Sequence, residues 1–319
     1  MTQTSTRSQK LNYINCGSFL SAAASLIYVL TVLLISVFFS DTIAHSVKSG
    51  LSLCANVIIP SVFPFMIISD FLYSHLDFSK LNFLNLLFEH VFKISRSGIY
   101  AFILGILCGF PLGVKCARDL YVSGAISRDE AERLIGFSNN TGPAFLIAGI
   151  GLGLRKNLTE GILLYIIMIA SAMVTGIIFS IGKEVKQDDA FLKRPPFSLT
   201  LSIKNAGINT LNICSYLTFF ACFCGIMRGL IGESPLYVSL LPFIEIGSSS
   251  SILSKTVLLS PEESFALTSF AVGFSGSSVH LQALSFLVDT DIRTARYFIM
   301  KLLQGIISLF IAIPLHKLL

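Results

Sequence analysis

Long apolar runs separated by short polar connections dominate this chain. A helix needs about 20 mostly apolar residues to cross a bilayer. Charge-free windows of that order lie at 11–40, 49–69, 97–114, 134–154, 161–182, 205–227 and 264–288. Two poorer windows remain: 234–255 contains Glu245, and 302–315 extends back past Lys301 to Tyr297. The pattern predicts an all-α polytopic membrane protein.

The composition supports this prediction. Of the 319 residues, 53% are hydrophobic and 13% are charged, whereas a soluble protein carries about a quarter charged residues. The net charge of +5 forms no basic stripe, so we expect no binding to nucleic acid. The seven cysteines lie in or beside apolar runs without a Cys-x-x-Cys pair, so we expect neither a metal site nor a disulfide. We also expect no cofactor.

A polar connection at 183–204 divides the chain into two halves. Its five Lys and Arg favour the cytoplasmic side. Each half contains a Gly-interrupted apolar stretch, "CGFPLGVK" at 108–115 and "VGFSGSSVH" at 272–280, and a charged segment follows each at a similar distance. This shared order predicts an internal duplication. Matching interruptions in two repeats are typical of transporters, in which they form the substrate site.

The predicted organisation therefore has four parts. Residues 1–48 hold the N-terminal tail and a membrane helix, because the run at 11–40 is longer than the apolar region of about 7–15 residues in a signal peptide. The first repeat is predicted at 49–182, the polar connection at 183–204 and the second repeat at 205–319.

Two interrupted stretches in the first half carry candidate substrate-binding residues. They are Gly109, Pro111, Gly113 and Lys115 in one stretch, and Asn139, Asn140, Thr141 and Gly142 in the other. Opened backbone at membrane depth needs partners, and a solute is one such partner. The alternatives are that Lys115 reaches water at the interface and that turn chemistry alone explains the Asn-rich segment.

Two further stretches lie in the second half, and their candidate residues are Glu245, Ser248, Gly276, Ser278, His280 and Gln282. Glu245 is the one carboxylate with long apolar flanks on both sides, eleven uncharged residues before it and nine after. It is therefore a candidate for ion coupling, with Lys115 or Arg228 as conceivable partners. Gly273-Phe274-Ser275-Gly276 also matches the nucleophile motif of an intramembrane serine protease. His280 would have to fold back along the same segment to serve as the base, so we expect no enzyme.

The segment "ISRDEAERL" at 126–134 has a structural explanation. Ser127 and Glu130 are spaced as a capping box, and the charges that follow are spaced for the wet face of a short surface helix. We assign this segment no chemistry.

In these motifs the chain resembles the family of the sporulation integral membrane protein YlbJ, which is also called the stage V sporulation protein V family. That family belongs to the nucleoside-recognition (Gate) domain proteins. The resemblance covers roughly residues 50 to 315 and is carried by two blocks, Gly109–Gly151 and Gly273–Phe298. Its motif positions are Gly109, Pro111, Gly113, Lys115, Asn139, Asn140, Gly142, Pro143, Gly273, Gly276, Ser278, His280 and Gln282. Where a Gly-Gly turn is expected, this chain has Gly273-Phe274-Ser275-Gly276.

The resemblance implies a fold similar to concentrative nucleoside transporters, with two inverted structural repeats that each contain a re-entrant helical hairpin. It also implies a transporter of a small anionic metabolite, dipicolinic acid, across the outer forespore membrane during sporulation. The expected partners are this solute, the lipid bilayer and a possible coupling ion. The alternatives are a nucleoside-like or other carboxylate solute, the cell membrane as the location, and a non-transporting scaffold.

Dipicolinate is a flat aromatic dianion, and the candidate residues offer groups that suit it. Lys115 supplies a cation, the Asn139 and Asn140 amides supply donors, and His280 supplies an imidazole. A cavity that holds the ring is predicted from aromatic residues in the interrupted stretches, namely Phe110, Phe137, Phe145 and Phe274.

Overall fold

The computed structural model describes residues 34–35, 37–75, 82–184 and 197–317, which form helices and their connections without a β-strand. The first half contains α1 (Ser40–Leu53), π1 (Cys54–Ile58), α2 (Ile59–His75), α3 (Asn82–Leu87), π2 (Phe88–Phe92), α4 (Arg96–Leu107), α5 (Leu112–Val122), α6 (Arg128–Ser138), π3 (Ala144–Arg155) and α7 (Leu158–Ile178). The second half contains α8 (Leu199–Ile231), α9 (Pro235–Ile244), α10 (Ile246–Leu253), α11 (Pro261–Phe274), α12 (Gly276–Ser285) and α13 (Ala295–His316).

The chain divides into two units, Met1–His45 and Ser46–Leu319. Most of the membrane helix predicted at 11–40 lies outside the described residues. All the candidate site residues belong to the second unit.

Four helices in the described part of the chain are long and apolar enough to cross a membrane. They are Ser40–Ile68, Leu158–Ile178, Leu199–Ile231 and Ala295–His316. A fifth span is added if Asn85–Phe92 and Arg96–Leu107, which meet at 95°, are counted as one. Large apolar side chains on these helices are exposed, as lipid contact requires, among them Ile166, Leu211 and Phe310. The prediction of an all-α polytopic membrane protein is confirmed.

The other charge-free windows do not form continuous helices. The first pair of breaks lies between α4 and α5, where Gly109 has φ 79°, and between α6 and π3, at residues 139–143. The second pair lies between α9 and α10, at Glu245, and between α11 and α12, where Ser275 has φ 80°. A positive φ ends a helix because it turns the next N–H away from the helical hydrogen-bond ladder. All four predicted interruptions are therefore present.

The breaks meet in pairs within each half. A Cβ atom on Gly109 would lie 2.6 Å from the Gly142 nitrogen, so the two backbones are in direct contact. In the second half, a Cβ atom on Gly276 would lie 3.2 Å from the Glu245 Cα atom. Only glycine permits this approach, and each half therefore has one crossing of two broken helices. The inverted relation between the halves stays a prediction.

Helix α13 connects the two halves. It packs against α11 of the second half and against α6 and α7 of the first half. Its apolar residues Tyr297 and Met300 join the core of α4, α5 and α6, so the polar residues on α13 are carried to the first-half breaks.

The predicted capping box at the start of α6 is wrong. Ser127 does accept a hydrogen bond from the Glu130 N–H at 3.3 Å. The Glu130 carboxylate, however, turns inward and accepts from the Ser95 N–H and Oγ, both at 2.7 Å. The segment before α4 lies against α6 and has polar groups that need partners, and the side chain of Glu130 satisfies them.

The predicted wet face of α6 is also wrong for two of its residues. Arg133 is 1% exposed and Glu132 is 6% exposed. Arg133 donates to the carbonyl oxygens of Phe92 at 2.9 Å and Lys93 at 2.7 Å, which end a π-helical segment and have no helical partner.

Candidate functional site

The polar turn between α6 and π3 is fully buried. Asn139, Asn140 and Thr141 each have 0% exposure. The Asn139 Nδ2 donates to the Tyr297 hydroxyl at 2.8 Å, and the Asn140 Oδ1 accepts from the Gln304 Nε2 at 2.9 Å. Both partners lie on α13, so this first-half turn is tied to a second-half helix.

A lysine lies at the centre of these contacts. Lys301 is 0% exposed, and its Nζ donates to the Asn139 carbonyl oxygen at 2.9 Å and to the Gln304 Oε1 at 2.8 Å. No carboxylate within the described ranges forms an ion pair with it. Taking an ammonium out of water is costly, and an acidic partner usually offsets that cost.

His280 extends the network into α12. Its Nδ1 lies 2.8 Å from the Tyr297 hydroxyl. That hydroxyl accepts from Asn139, so its own hydrogen is available to the imidazole. Asn139, Asn140, Thr141, His280, Tyr297, Lys301 and Gln304 are called the buried polar cluster below.

Three polar atoms of the buried polar cluster have no hydrogen-bond partner among the residues that the structure describes. They are the Asn139 Oδ1, the Thr141 Oγ1 and the His280 Nε2. Such groups are rare in protein interiors, because each loses its hydrogen bonds to water without replacement. Unused donors and acceptors beside a buried lysine are the groups that a polar solute binds.

Aromatic rings surround the imidazole of His280. Its ring centroid lies 4.7 Å from that of Phe274, 5.3 Å from that of Tyr297 and 5.2 Å from that of Phe298. These rings give the buried polar cluster an apolar wall.

The four phenylalanines predicted to line one cavity are divided among three places. Phe110 and Phe145 line a cavity of about 20 Å³ beside the Gly109–Gly142 crossing. Phe137 instead lies 5.8 Å, centroid to centroid, from Phe92, and Phe274 contacts His280. A volume of that size holds about one water molecule, so this cavity does not admit an aromatic solute in this conformation.

The remaining first-half candidates shape the crossing. Pro111 is buried in the break, and Gly113 faces the backbone of α6, where a Cβ atom would lie 2.1 Å from the Ser138 carbonyl oxygen. Lys115 is exposed on α5 and does not reach the buried polar cluster. Its substrate-binding role stays a prediction.

Glu245 begins α10. Its carboxylate is 4% exposed and accepts from the Gly247 N–H at 2.7 Å and from the Ser248 N–H. Within the described ranges it forms no ion pair, and its conceivable partner Arg228 instead pairs with Glu233 at 2.5 Å. The positive end of α10 is thus the partner of this carboxylate.

The α12 candidates are buried, with Ser278 at 2% and Gln282 at 5% exposure. The Ser275 Oγ donates to the Val272 carbonyl oxygen at 3.5 Å. The Nδ1 of His280 bonds to Tyr297, and its Nε2 has no partner among the described residues. Ser275 and His280 therefore make no hydrogen bond to each other. The nucleophile–base pair of a serine protease is not formed here.

Sequence reasoning did not pick out three members of the cluster, Tyr297, Lys301 and Gln304. A signal was present, because Lys301 is a charge within the apolar run that becomes α13. Ionisable residues within membrane helices are functional candidates by default.

Within the described part of the chain, no group of three His, Cys, Asp or Glu residues is placed to hold a metal ion.

Comparison with known proteins identifies one relationship. The chain is 27% identical to the sporulation integral membrane protein YlbJ of Bacillus subtilis (strain 168), over an alignment that covers 85% of this chain and 76% of the relative. No protein-family model matches the chain, and no solved structure shows significant similarity to it. The similarity confirms the resemblance to the YlbJ family and, with the apolar helices, the assignment as a multi-pass integral membrane protein.

Proposed function

We propose that this protein transports a small anionic metabolite across a membrane, and that the metabolite is dipicolinic acid crossing the outer forespore membrane during sporulation. The observation that carries the proposal is the buried polar cluster. It places a fully buried lysine, Lys301, beside unused polar atoms from both halves of the chain.

The chemistry of the cluster favours an anion. The Lys301 amine has only neutral partners among the described residues, so a carboxylate would meet a basic group that no acidic side chain already pairs with. The Thr141 hydroxyl and the His280 Nε2 offer further hydrogen bonds. The rings of Phe274 and Phe298 beside His280 suit an aromatic solute. Dipicolinate combines two carboxylates with an aromatic ring.

The broken helices support a transporter. Breaks of this kind recur at transporter substrate sites, where one part of the protein moves against another to alternate access. The cavity at the Gly109–Gly142 crossing has a volume of about 20 Å³, so a solute that enters there requires the crossing to open. We propose no enzymatic step.

The alternatives have less support. A scaffold would present its charged segments to a partner, but Glu130 and Arg133 in the first such segment point inward to Ser95 and Phe92. A nucleoside-like solute would use the amides of the cluster and would bring no negative group to Lys301. The name of the relative, a sporulation integral membrane protein, supports the proposed setting.

Complementation tests this proposal in cells. The gene is expressed in a Bacillus subtilis strain that lacks YlbJ, and the dipicolinic acid in the spores is measured at matched protein level. We expect Asn140→Ala and His280→Ala to lower the content about 10-fold, because each removes a buried hydrogen-bonding group from the site. Asn205→Ala, an exposed asparagine on α8, is the control. Normal content in both site variants would rule out this site.

A further inference from the structure

The hydrogen bonds of Lys301 distinguish its two protonation states. A neutral amine has two N–H groups and one lone pair, whereas an ammonium has three N–H groups and a full charge. In this structure the Nζ makes two hydrogen bonds, to the Asn139 carbonyl oxygen and to the Gln304 Oε1. Both acceptors are neutral. This arrangement satisfies both N–H groups of a neutral amine and leaves its lone pair open, whereas it leaves an ammonium with one donor unused.

Within the described ranges, no neighbouring group compensates a charge at this position. The charged or titratable residues on α6, α7 and α11, which pack against α13, and on α12, which contacts it through His280, are Arg128, Asp129, Glu130, Glu132, Arg133, Glu160, Tyr165, Glu262, Glu263 and His280. Those nearest α13 lie at its two ends, where Asp129 and Glu132 contact Arg296, and Glu160 lies 3.9 Å from His316. Of the ten, His280 alone belongs to the buried polar cluster, where it bonds to Tyr297. A charge on Lys301 therefore has to be compensated by the solute.

We infer that Lys301 binds a proton together with the anionic solute, so that each anion crosses the membrane with a proton. The carboxylate of the solute supplies the negative charge that makes the ammonium stable in the protein interior. The third N–H of the ammonium then donates to that carboxylate, which is a charge-assisted hydrogen bond. This inference deepens the proposed function and rests on it.

The proton balance of the cycle is simple. As the anion enters, a proton from water on that side adds to the lone pair of the Lys301 Nζ. When the anion leaves on the other side, the ammonium loses its partner and returns the proton to water there. No other bond is made or broken. Binding of the anion and protonation of Lys301 are linked, so each strengthens the other.

Titration calorimetry of the full-length protein in detergent tests the inference. Dipicolinate, benzoate and uridine are titrated at about pH 8, where carboxylates are ionised, in two buffers that differ in ionisation enthalpy. The difference between the buffers gives the number of protons taken up per ligand. We expect about one proton per dipicolinate and none for Lys301→Arg, because a guanidinium is always charged.

Further variants locate the proton. We expect Lys301→Met to weaken dipicolinate binding about 10-fold or more, whereas Lys204→Met, an exposed lysine on α8, leaves it unchanged. Proton uptake should persist in His280→Asn, and its loss there would assign the proton to His280 and overturn the inference. If Lys301→Met does not fold, the number of protons that the unchanged protein takes up per dipicolinate still tests whether binding is linked to protonation.

The outcomes separate this inference from the proposed function. Binding of dipicolinate without proton uptake overturns the inference and leaves the proposed transport intact. Proton-linked binding of benzoate without binding of dipicolinate supports the inference and contradicts the proposed substrate. Binding of uridine alone, or of none of the three, contradicts both.

Discussion

At the scale of single residues, the buried ionisable side chains of this protein have two different roles: some satisfy backbone groups at helix ends, and one is assigned to ligand binding. Arg133 satisfies backbone carbonyl groups that a helix end leaves without partners, at Phe92 and Lys93. Glu245 satisfies the N–H groups that begin α10. Lys301 differs from both, because its neighbours do not require a charge. This contrast is the reason for assigning ligand binding to Lys301.

Replacing Arg133 should destabilise the protein. Arg133→Met takes away the guanidinium donor to the Lys93 carbonyl oxygen and one of the donors to the buried Phe92 carbonyl oxygen, which also accepts from the Ser180 hydroxyl. We expect the free energy of unfolding to fall by about 3 kcal/mol. Thermal unfolding followed by circular dichroism measures the change. Arg293→Met is the control and should change the stability by less than about 0.5 kcal/mol, because that side chain is 74% exposed. Equal stability of the two variants would contradict the structural role.

Asp129 should make the stability depend on pH in the acid range. Partial burial opposes its ionisation, but hydrogen bonds from Arg296 and Lys183 lower the pKa of Asp129 to about 2. A carboxyl group with a lowered pKa stabilises the fold above its ordinary pKa, and this contribution is lost as the pH falls towards 2.

A comparison of the unchanged protein with Asp129→Asn tests this pH dependence of the stability. Between about pH 5 and pH 2, the unfolding free energy of the unchanged protein should fall by about 1 kcal/mol more than that of the variant, since solvent screens this half-exposed side chain. Asp289→Asn, at an exposed carboxylate, should follow the unchanged protein. Identical pH profiles for all three proteins would show that the ion pairs do not form in solution.

At the scale of elements, close backbone contacts decide where helices cross. A Cβ atom on Gly105 of α4 would lie 1.7 Å from the Ser138 carbonyl oxygen. No rotation of a side chain relieves a clash with backbone, so one of the helices would have to move.

Two helical glycines therefore respond in opposite ways to the same substitution. Gly105→Ala should lower the free energy of unfolding by about 3 kcal/mol, because it forces the α4 and α6 backbones apart. Gly207→Ala on α8 should raise it by up to about 1 kcal/mol, because a Cβ there meets nothing within 4 Å and alanine favours the helix. Unfolding in detergent measures both. A neutral Gly105→Ala would show that the helices do not cross as described.

The elements were largely predictable from the sequence. Charge-free runs marked three of the four spanning helices among the described residues, because a long apolar run suits the bilayer, and the fourth, α13, came from a poorer window beside Lys301. The breaks were marked by Gly109, Pro111 and Glu245, residues that interrupt helical hydrogen bonds or carry a charge. The inward turn of Glu130 and Arg133 was not predictable, because it depends on carbonyl and amide groups brought near by the fold.

At the scale of the whole molecule, α13 determines what the candidate site contains. It carries Tyr297, Lys301 and Gln304 from the second half into the Asn-rich turn of the first half. The sequence marked Asn139 and His280 individually as candidates. It did not show that both contact Tyr297, because residues so far apart along the chain are brought together only by the packing of α13 against α6.

Uptake into vesicles tests the central claim most directly. The purified protein is placed in lipid vesicles, and the uptake of radiolabelled dipicolinate is measured for the unchanged protein, Lys301→Met and Lys204→Met. The account predicts uptake above that of empty vesicles, no competition from excess uridine, a loss of about 10-fold or more in Lys301→Met, and no loss in Lys204→Met. Uptake equal to that of empty vesicles, or full uptake by Lys301→Met, would contradict it.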